Sequence, residues 1–433
     1  MSHINLLAFK NIFFRKDIMS KNHVSILLKK FLCGILTTSL LLAQPYTVLA
    51  ESNGNGALSP TPTPDPHTEA YYQPADTDSI SGWPQGPQVE ARSAVVMDVY
   101  TDSILYSKNA DEKLYPASIT KILTTLLACE NLEMKDKVVV SQEAAYGIEP
   151  GSSSIYADTG EIFTVQQALM AVMLESANVM SLAIAETVSG SVKKFVELMN
   201  ERARQIGCTN THFNNPNGLP DETHVTTAND MAKIAKAAWF NPLFRKFTTK
   251  DVFEIPPTNK FSETRYLLNH HKMMEGRDYA YDGVVGGKTG YTTAAGSTLV
   301  TYAKRDDTIL LVVVMGTVNG GWSDTAALLD YGFNSFERVK LSTGNDSVSV
   351  QALPSEKYLL TDGGSACPFY YTRGVYVTVP AGTDLNTLEK RQSLCSNAAG
   401  PLLLESKYYY NSQMVGWGVQ YEREILSGLV RTP

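Results

Sequence analysis

The sequence predicts an α+β fold, in which a sheet carries packed helices, a helical cluster stands beside it, and a β-rich part follows. Three observations carry this expectation. Strand patterning comes early, at 93–99 and 103–106, and returns late, at 297–303 and 308–315. Helical periodicity occupies most of the interval between them. Beyond Arg338 the pattern shortens to β-rich segments such as 374–379 and 406–410. Strands that flank a helical run fit one sheet with helices packed against it, and the tail reads as a small all-β domain.

The elements follow in order. Residues 93–99 and 103–106 make a strand and its partner across a turn. A helix follows Pro116, with Ile122, Leu123, Leu126 and Leu127 on its buried face. Thr164-Val165-Gln166-Gln167 is a capping box that opens a second apolar helix. Val192, Phe195, Val196, Met199, Ala203 and Ile206 mark a third, which Gly207 stops. Thr227-Ala228-Asn229-Asp230 opens a fourth, with Met231, Ile234, Ala235 and Ala238 facing inward. A last helix spans about 324–331.

A chain of 433 residues, 43% apolar and 19% charged, has room for two or three globular domains. Residues 1–50 read as a signal peptide. Lys29 and Lys30 precede an apolar run, 31–43, too short for a comfortable membrane span. Val48-Leu49-Ala50 supplies small residues for cleavage after Ala50. Met19 offers an alternative start, and an uncleaved anchor is the other reading. The chain is therefore expected outside the cytoplasm, at the cell wall or the outer face of the membrane. Residues 51–85, with Pro60, Pro62, Pro64 and Pro66, read as an extended linker. A catalytic domain is expected over 86–338 and the β-rich domain over 339–433.

Without residues 1–50 the chain keeps 31 basic and 43 acidic residues, a formal net charge of −12. That argues against nucleic-acid binding, which needs a basic footprint. Four cysteines remain, Cys129, Cys208, Cys367 and Cys395, too few for a disulfide scaffold. A Cys367–Cys395 bridge and buried free thiols are both open. No cluster has metal-ligand spacing, His270-His271 reads as loop surface, and no cofactor is expected.

Three short motifs carry chemistry. In Ser118-Ile119-Thr120-Lys121, positions i and i+3 of a helix set an amine beside a hydroxyl. A hydroxyl needs a base to act as a nucleophile, and a lysine serves if burial or a nearby cation lowers its pKa. The motif alone is weak, because Ser191-Val192-Lys193-Lys194 is a second copy that reads as helix surface. Ser176-Ala177-Asn178 lies between two apolar helices. Its hydroxyl and amide suit proton relay and peptide binding, although a plain helix-joining turn reads the same, and a chance copy stands at Ser20-Lys21-Asn22. Lys288-Thr289-Gly290 follows Gly286-Gly287 and precedes an expected edge strand. Lysine and threonine suit a carboxylate, and glycine admits a ligand backbone. The weight lies in the combination, in this order, at separations of 58 and 112 residues.

These motifs resemble those of the low-molecular-mass penicillin-binding proteins that act as D-alanyl-D-alanine carboxypeptidases. The resemblance runs from about Trp83 to Glu337. It rests on the segment from Tyr115 to Lys121, on Asn215-Pro216-Asn217-Gly218-Leu219 with Thr227-Ala228-Asn229-Asp230, and on Gly287-Lys288-Thr289-Gly290-Tyr291-Thr292 with Ala295-Gly296. It implies a β-lactamase/transpeptidase-like fold with an antiparallel sheet, a peptidoglycan stem peptide as substrate, and β-lactams as covalent inhibitors. It implies further that Ser118 attacks the carbonyl between two D-alanines and that Lys121 takes its proton. The Ser118 and Tyr291 amides would hold the oxyanion. Ser176 would pass a proton to the leaving D-alanine, and Asn178 would orient Lys121 and substrate. Lys288 and Thr289 would bind the terminal carboxylate beside Gly290, with Lys288 depressing the pKa of Lys121.

The chain departs from the family pattern at three positions. Val179 stands where the family usually has Asp, Asn217 where it has His, and Gly321 where an arginine often assists carboxylate binding. The alternatives are an endopeptidase or transpeptidase on the same site, a β-lactamase, and a non-catalytic wall-binding protein. A β-lactamase needs a water-activating glutamate in a Glu-x-x-Leu-Asn pattern, which Glu197-Leu198-Met199-Asn200 does not match. The segment 424–433 is too short and glycine-interrupted for an amphipathic anchor.

Overall fold

The computed structural model describes residues 67–149, 151–342, 347–349, 368–371, 374–396 and 402–422. The expected signal region, the copy at Ser20, Cys367 with its pairing to Cys395, and the segment after 422 lie outside them.

The strands of the first part are β1 (Ser93–Asp98), β2 (Ile104–Lys108), β3 (Lys137–Val139), β4 (Ile162–Thr164), β5 (Val252–Ile255), β6 (Arg265–Leu268), β7 (Val284–Thr292), β8 (Gly296–Arg305) and β9 (Thr308–Thr317). Five of them form an antiparallel sheet in the order β2-β1-β9-β8-β7. Thus the early and late strands expected from sequence meet in one sheet, with β1 hydrogen-bonded to β9. The short pairs β3–β4 and β5–β6, which periodicity does not reveal, form two separate two-stranded sheets.

The helices are α1 (Lys121–Asn131), α2 (Gln142–Tyr146), α3 (Val165–Leu174), α4 (Asn178–Ser189), α5 (Val192–Ile206), α6 (Ala228–Phe240), α7 (Pro242–Thr248) and α8 (Trp322–Ser335). The Thr164 hydroxyl accepts the Gln167 amide and completes the expected capping box. Thr227 caps α6 in the same way through the Asp230 amide. These caps satisfy backbone donors that the first turn leaves free.

Successive side chains of a strand point to opposite faces. Val95, Met97, Leu311, Val313 and Met315 pack into the helical cluster. Val96, Leu310, Val312 and Val314 pack on the other face with Leu328 and Leu329 of α8. Both faces are covered, so every residue of β1 is buried. The edge strand β7 has a hydrogen-bonded neighbour on one side alone, and its other side borders the cleft described below.

A second sheet follows α8. Its strands are β10 (Phe336–Ser342), β11 (Ser347–Ser349), β12 (Pro368–Tyr371), β13 (Val375–Pro380), β14 (Glu389–Ser396), β15 (Leu402–Tyr410) and β16 (Gln413–Glu422). They pair as β10-β13-β16-β12-β11, with β14–β15 attached through β16. The Thr378 hydroxyl donates to Asp98 at 2.7 Å and joins this sheet to the end of β1.

The linker expected to extend to residue 85 does not extend that far. From residue 67 onward the chain packs on the sheet domain. Trp83 is 7% exposed and donates its indole N–H to the Leu105 carbonyl at 2.8 Å. The Lys108 ammonium donates to the Ala70 carbonyl, and Asp78 accepts the Gly86 amide at 2.8 Å. A polar, proline-rich composition hid one tryptophan large enough to anchor the segment.

Candidate active site

The first motif begins with a turn that sequence periodicity reads as helix. Residues Ala117–Thr120 form a 3₁₀ turn, and α1 starts at Lys121. In a 3₁₀ turn, side chains at i and i+3 eclipse. Ser118 and Lys121 are therefore brought together, with Nζ 2.9 Å from Oγ. Ser118 is half-buried at the floor of a cleft of about 490 Å³.

Lys121 is fully buried. Beside its contact with Ser118 Oγ, the amine donates to Asn178 Oδ1 at 2.8 Å and to the Asn217 carbonyl at 2.5 Å. Among the described residues, no carboxylate pairs with it. Burial, followed by the charge of Lys288, drives its pKa well below the ordinary lysine value.

The Asn217 carbonyl is a site group that sequence reasoning missed, because a backbone atom has no side-chain signature. Turn chemistry supplies it. Asn215 Oδ1 accepts the Gly218 amide at 2.7 Å, and Thr124 donates to the Pro216 carbonyl at 2.7 Å. Gly218 has φ +87°, and a Cβ there would lie 1.9 Å from the Ala117 carbonyl oxygen. Only glycine fits both the angle and the space.

The second motif is the bend between α3 and α4. Ser176 adopts φ +57°, a conformation that costs a non-glycine residue about 1–3 kcal/mol. It lines the cleft, and its buried hydroxyl has no hydrogen-bond partner among the described residues. Asn178 opens α4, and its backbone amide donates to the Ser153 carbonyl at 2.9 Å. Val179 is 2% exposed and belongs to the core, so a valine in place of aspartate leaves the cleft untouched.

The third motif lies inside β7, not ahead of an edge strand as expected. Thr289, Gly290 and Tyr291 line the cleft, and Tyr291 is 69% exposed at its lip. A Cβ at Gly290 would lie 2.9 Å from the Ser118 amide nitrogen, so the strand passes directly by the nucleophile turn. Thr298 of β8 donates to the Pro116 carbonyl at 2.9 Å and fixes the same junction. Lys288 is 2% exposed and donates to the Thr289 carbonyl at 2.9 Å. Burial lowers its pKa to about 7, against the opposing charge of Glu175.

All eight side chains or backbones singled out from sequence thus converge on one cleft or its immediate wall. The second Ser-x-x-Lys does not. Ser191 caps α5 by accepting the Lys194 amide, and both lysines are exposed. Glu197 is likewise exposed on α5 and is not part of the cleft.

Of the histidine pair, His270 is exposed as expected, whereas His271 departs from the surface reading. His271 is 1% exposed, with Nε2 2.9 Å from the Thr301 hydroxyl, and burial lowers its pKa to about 4. His270 lines the cleft and pairs with Glu175 at 3.0 Å. Burial opposes ionisation of Glu175. Its bonds to His270 and to the Leu268 amide outweigh that and hold its pKa below the usual value. On the far wall, no arginine lines the cleft among the described residues. Gly321 caps α8, and a Cβ there would meet Thr317 and Val314 at 2.8 and 2.9 Å. Trp322, the next residue, faces the cleft instead.

His224 supports the nucleophile helix from behind. Its Nδ1 accepts the Asn214 amide at 3.0 Å, which leaves Nε2–H to donate to Thr120 at 3.0 Å. Burial lowers its pKa to about 4. The unfolded chain takes up this proton near pH 6.5 while the folded chain resists it until about pH 4. Stability is therefore fully present above 6.5 and is lost as pH falls toward 4, by up to about 3 kcal/mol. Urea denaturation at pH 7.5 and pH 5 should show a smaller acid-induced loss in His224→Gln than in the wild type. An equal loss would show that His224 does not titrate with folding.

Known proteins are similar to this chain in sequence and fold. The family model described as D-alanyl-D-alanine carboxypeptidase matches residues 81–319. This chain belongs to that family. D-alanyl-D-alanine carboxypeptidase DacF of Bacillus subtilis (strain 168) is 34% identical over 322 residues, covering 72% of this chain and 78% of its own. D-alanyl-D-alanine carboxypeptidase DacA of Haemophilus influenzae is 32% identical over 277 residues, 61% of this chain and 67% of its own. Penicillin binding protein 5 from Haemophilus influenzae shares the fold with a TM-score of 0.64 and 27% identity, over 78% of this chain and 98% of its own. As a D-alanyl-D-alanine carboxypeptidase of the penicillin-binding fold, the chain is a serine peptidase and a hydrolase.

Proposed function

We propose that this chain removes the terminal D-alanine from peptidoglycan stem peptides through an acyl-enzyme on Ser118. The contact between Ser118 Oγ and Lys121 Nζ at 2.9 Å carries this reading. A neutral amine has two N–H bonds and one lone pair. Asn178 Oδ1 and the Asn217 carbonyl take the two N–H bonds, so the lone pair is directed at the Ser118 proton. Burial and then the charge of Lys288 both favour the neutral amine that this role needs.

Ser118 Oγ attacks the carbonyl between the two terminal D-alanines as Lys121 takes its proton. The oxyanion lies between the Ser118 amide and the Tyr291 amide of β7. Ser176 relays the proton to the departing amine, and its unpartnered hydroxyl suits that task. Water then hydrolyses the ester. Thr289 and Lys288 hold the substrate carboxylate, and β-lactams acylate the same serine. The substrate lies outside the cytoplasm, which agrees with an exported chain carrying a leader at 1–50.

Incubation with a diacyl-L-Lys-D-Ala-D-Ala peptide should release one D-alanine per peptide. Release of D-alanine with the shortened peptide joined to an added amine acceptor, and not hydrolysed, would make the chain a transpeptidase.

A further inference from the structure

A buried ion pair outside the cleft is tied to the cleft wall. Arg265 of β6 is 9% exposed, and Glu161, which precedes β4, is 1% exposed. The guanidinium meets the carboxylate as a fork, Nη1 to Oε1 at 2.8 Å and Nη2 to Oε2 at 3.1 Å. Its third edge is not idle, because Nε donates to the Ile155 carbonyl at 3.0 Å. The Phe261 ring lies 4.1 Å from the guanidinium carbon and closes it in. Glu161 accepts in addition from the Thr258 hydroxyl and, at 3.1 Å, from the Asp158 amide.

Ile155 lies two residues from Ser153. Gly151, Ser152 and Ser153 line the cleft, and the Ser153 carbonyl accepts the Asn178 amide at 2.9 Å. Asn178 in turn holds Lys121. Immediately after Ile155, Tyr156 sits at φ +55° and is 89% exposed, a conformation that its own packing cannot enforce. The segment is thus gripped at Ile155 and Ser153, and the stretch that faces substrate starts at the second grip. Burial of a charged pair adds little stability by itself, since desolvation offsets attraction. Its geometry is what distinguishes it. A planar fork can hold a carboxylate and a carbonyl at fixed angles, which an ammonium cannot.

We propose that Arg265 is a positioning residue for substrate recognition: through the Ile155 carbonyl it sets the 151–153 wall against which the acyl side of the substrate lies. Lys121 and Asn178 are held from α1 and α4 as well, so the bond-making step is spared. The proposal rests on the reading of the cleft as the acylation site.

Two β-lactams that differ only in the length of the acyl side chain separate the effects. Acylation is followed by active-site titration, so only folded enzyme is counted. Arg265→Lys should weaken binding of the long compound on the order of tenfold, with its limiting acylation rate and the short compound nearly unchanged. A double variant, Arg265→Met with Glu161→Met, fills the volume without stranding a charge. It should fold as stably as wild type and still bind the long compound weakly. If the double variant regains both stability and full binding, the pair is structural only and the proposal fails. Equal losses for both compounds also overturn it. Failure of the wild type to be acylated at all would instead sink the reading of the site.

Discussion

Replacing Ser118 with alanine is expected to lower D-alanine release on the order of 10⁴-fold or more and to abolish covalent uptake of a labelled penicillin. Both steps need the same oxygen, and no second hydroxyl lies in hydrogen-bond reach of Lys121 among the described residues. The fold should survive. Ser118 is half-exposed, and its side chain gives up one hydrogen bond, a change of about 1 kcal/mol. Ser191→Ala, in the second Ser-x-x-Lys, should leave turnover unchanged and cost only a helix cap. Mass spectrometry after penicillin treatment checks both variants. An adduct on Ser118→Ala protein would overturn the assignment of the nucleophile.

Replacing Lys121 with methionine is expected to slow acylation by about 10²- to 10⁴-fold, the usual contribution of a placed base. The pH dependence is the sharper test. Burial and the charge of Lys288 lower the Lys121 pKa well below the ordinary lysine value, so the wild type should acylate well below the pH at which a free lysine loses its proton. Lys288 should limit the other side, because its proton is lost from about pH 7 upward and carboxylate binding weakens with it. Peptide kcat/KM should therefore decline above pH 7. Acylation by a neutral β-lactam ester, which has no carboxylate to hold, should not decline in parallel. A wild-type acylation rate that rises only above pH 10 would show that Lys121 is an ordinary charged lysine and not the base.

Much of this site was legible in sequence because its side chains are chemically distinctive and stand in short, ordered motifs. Ser118, Lys121, Ser176, Asn178 and Lys288-Thr289-Gly290 could be named before any fold was known. The contributors that stayed hidden are of two kinds. Some are backbone atoms, such as the Asn217 and Ile155 carbonyls, whose position depends on the turn and not on the residue type. Others are paired across long separations, such as Glu161 with Arg265 and Glu175 with His270, and nothing local links their identities. The linker boundary was misplaced for a related reason. Composition averages over a window, whereas the single indole of Trp83 is enough to dock the segment.

By itself the sequence determined the α+β class, the caps of the helices, the three motifs and the family to which they point. These depend on periodicity and residue chemistry within a few positions, and such information is local. Tertiary structure alone decided that β1 lies against β9 and that β7 passes within van der Waals reach of the Ser118 amide. It decided that the Lys121 amine lies fully buried against two carbonyl acceptors. It also decided that Trp322, and not an arginine, faces the far wall. Burial, a neighbour's charge and the direction of a lone pair depend on residues 50 to 200 positions away, and only the folded chain brings them within a few ångströms.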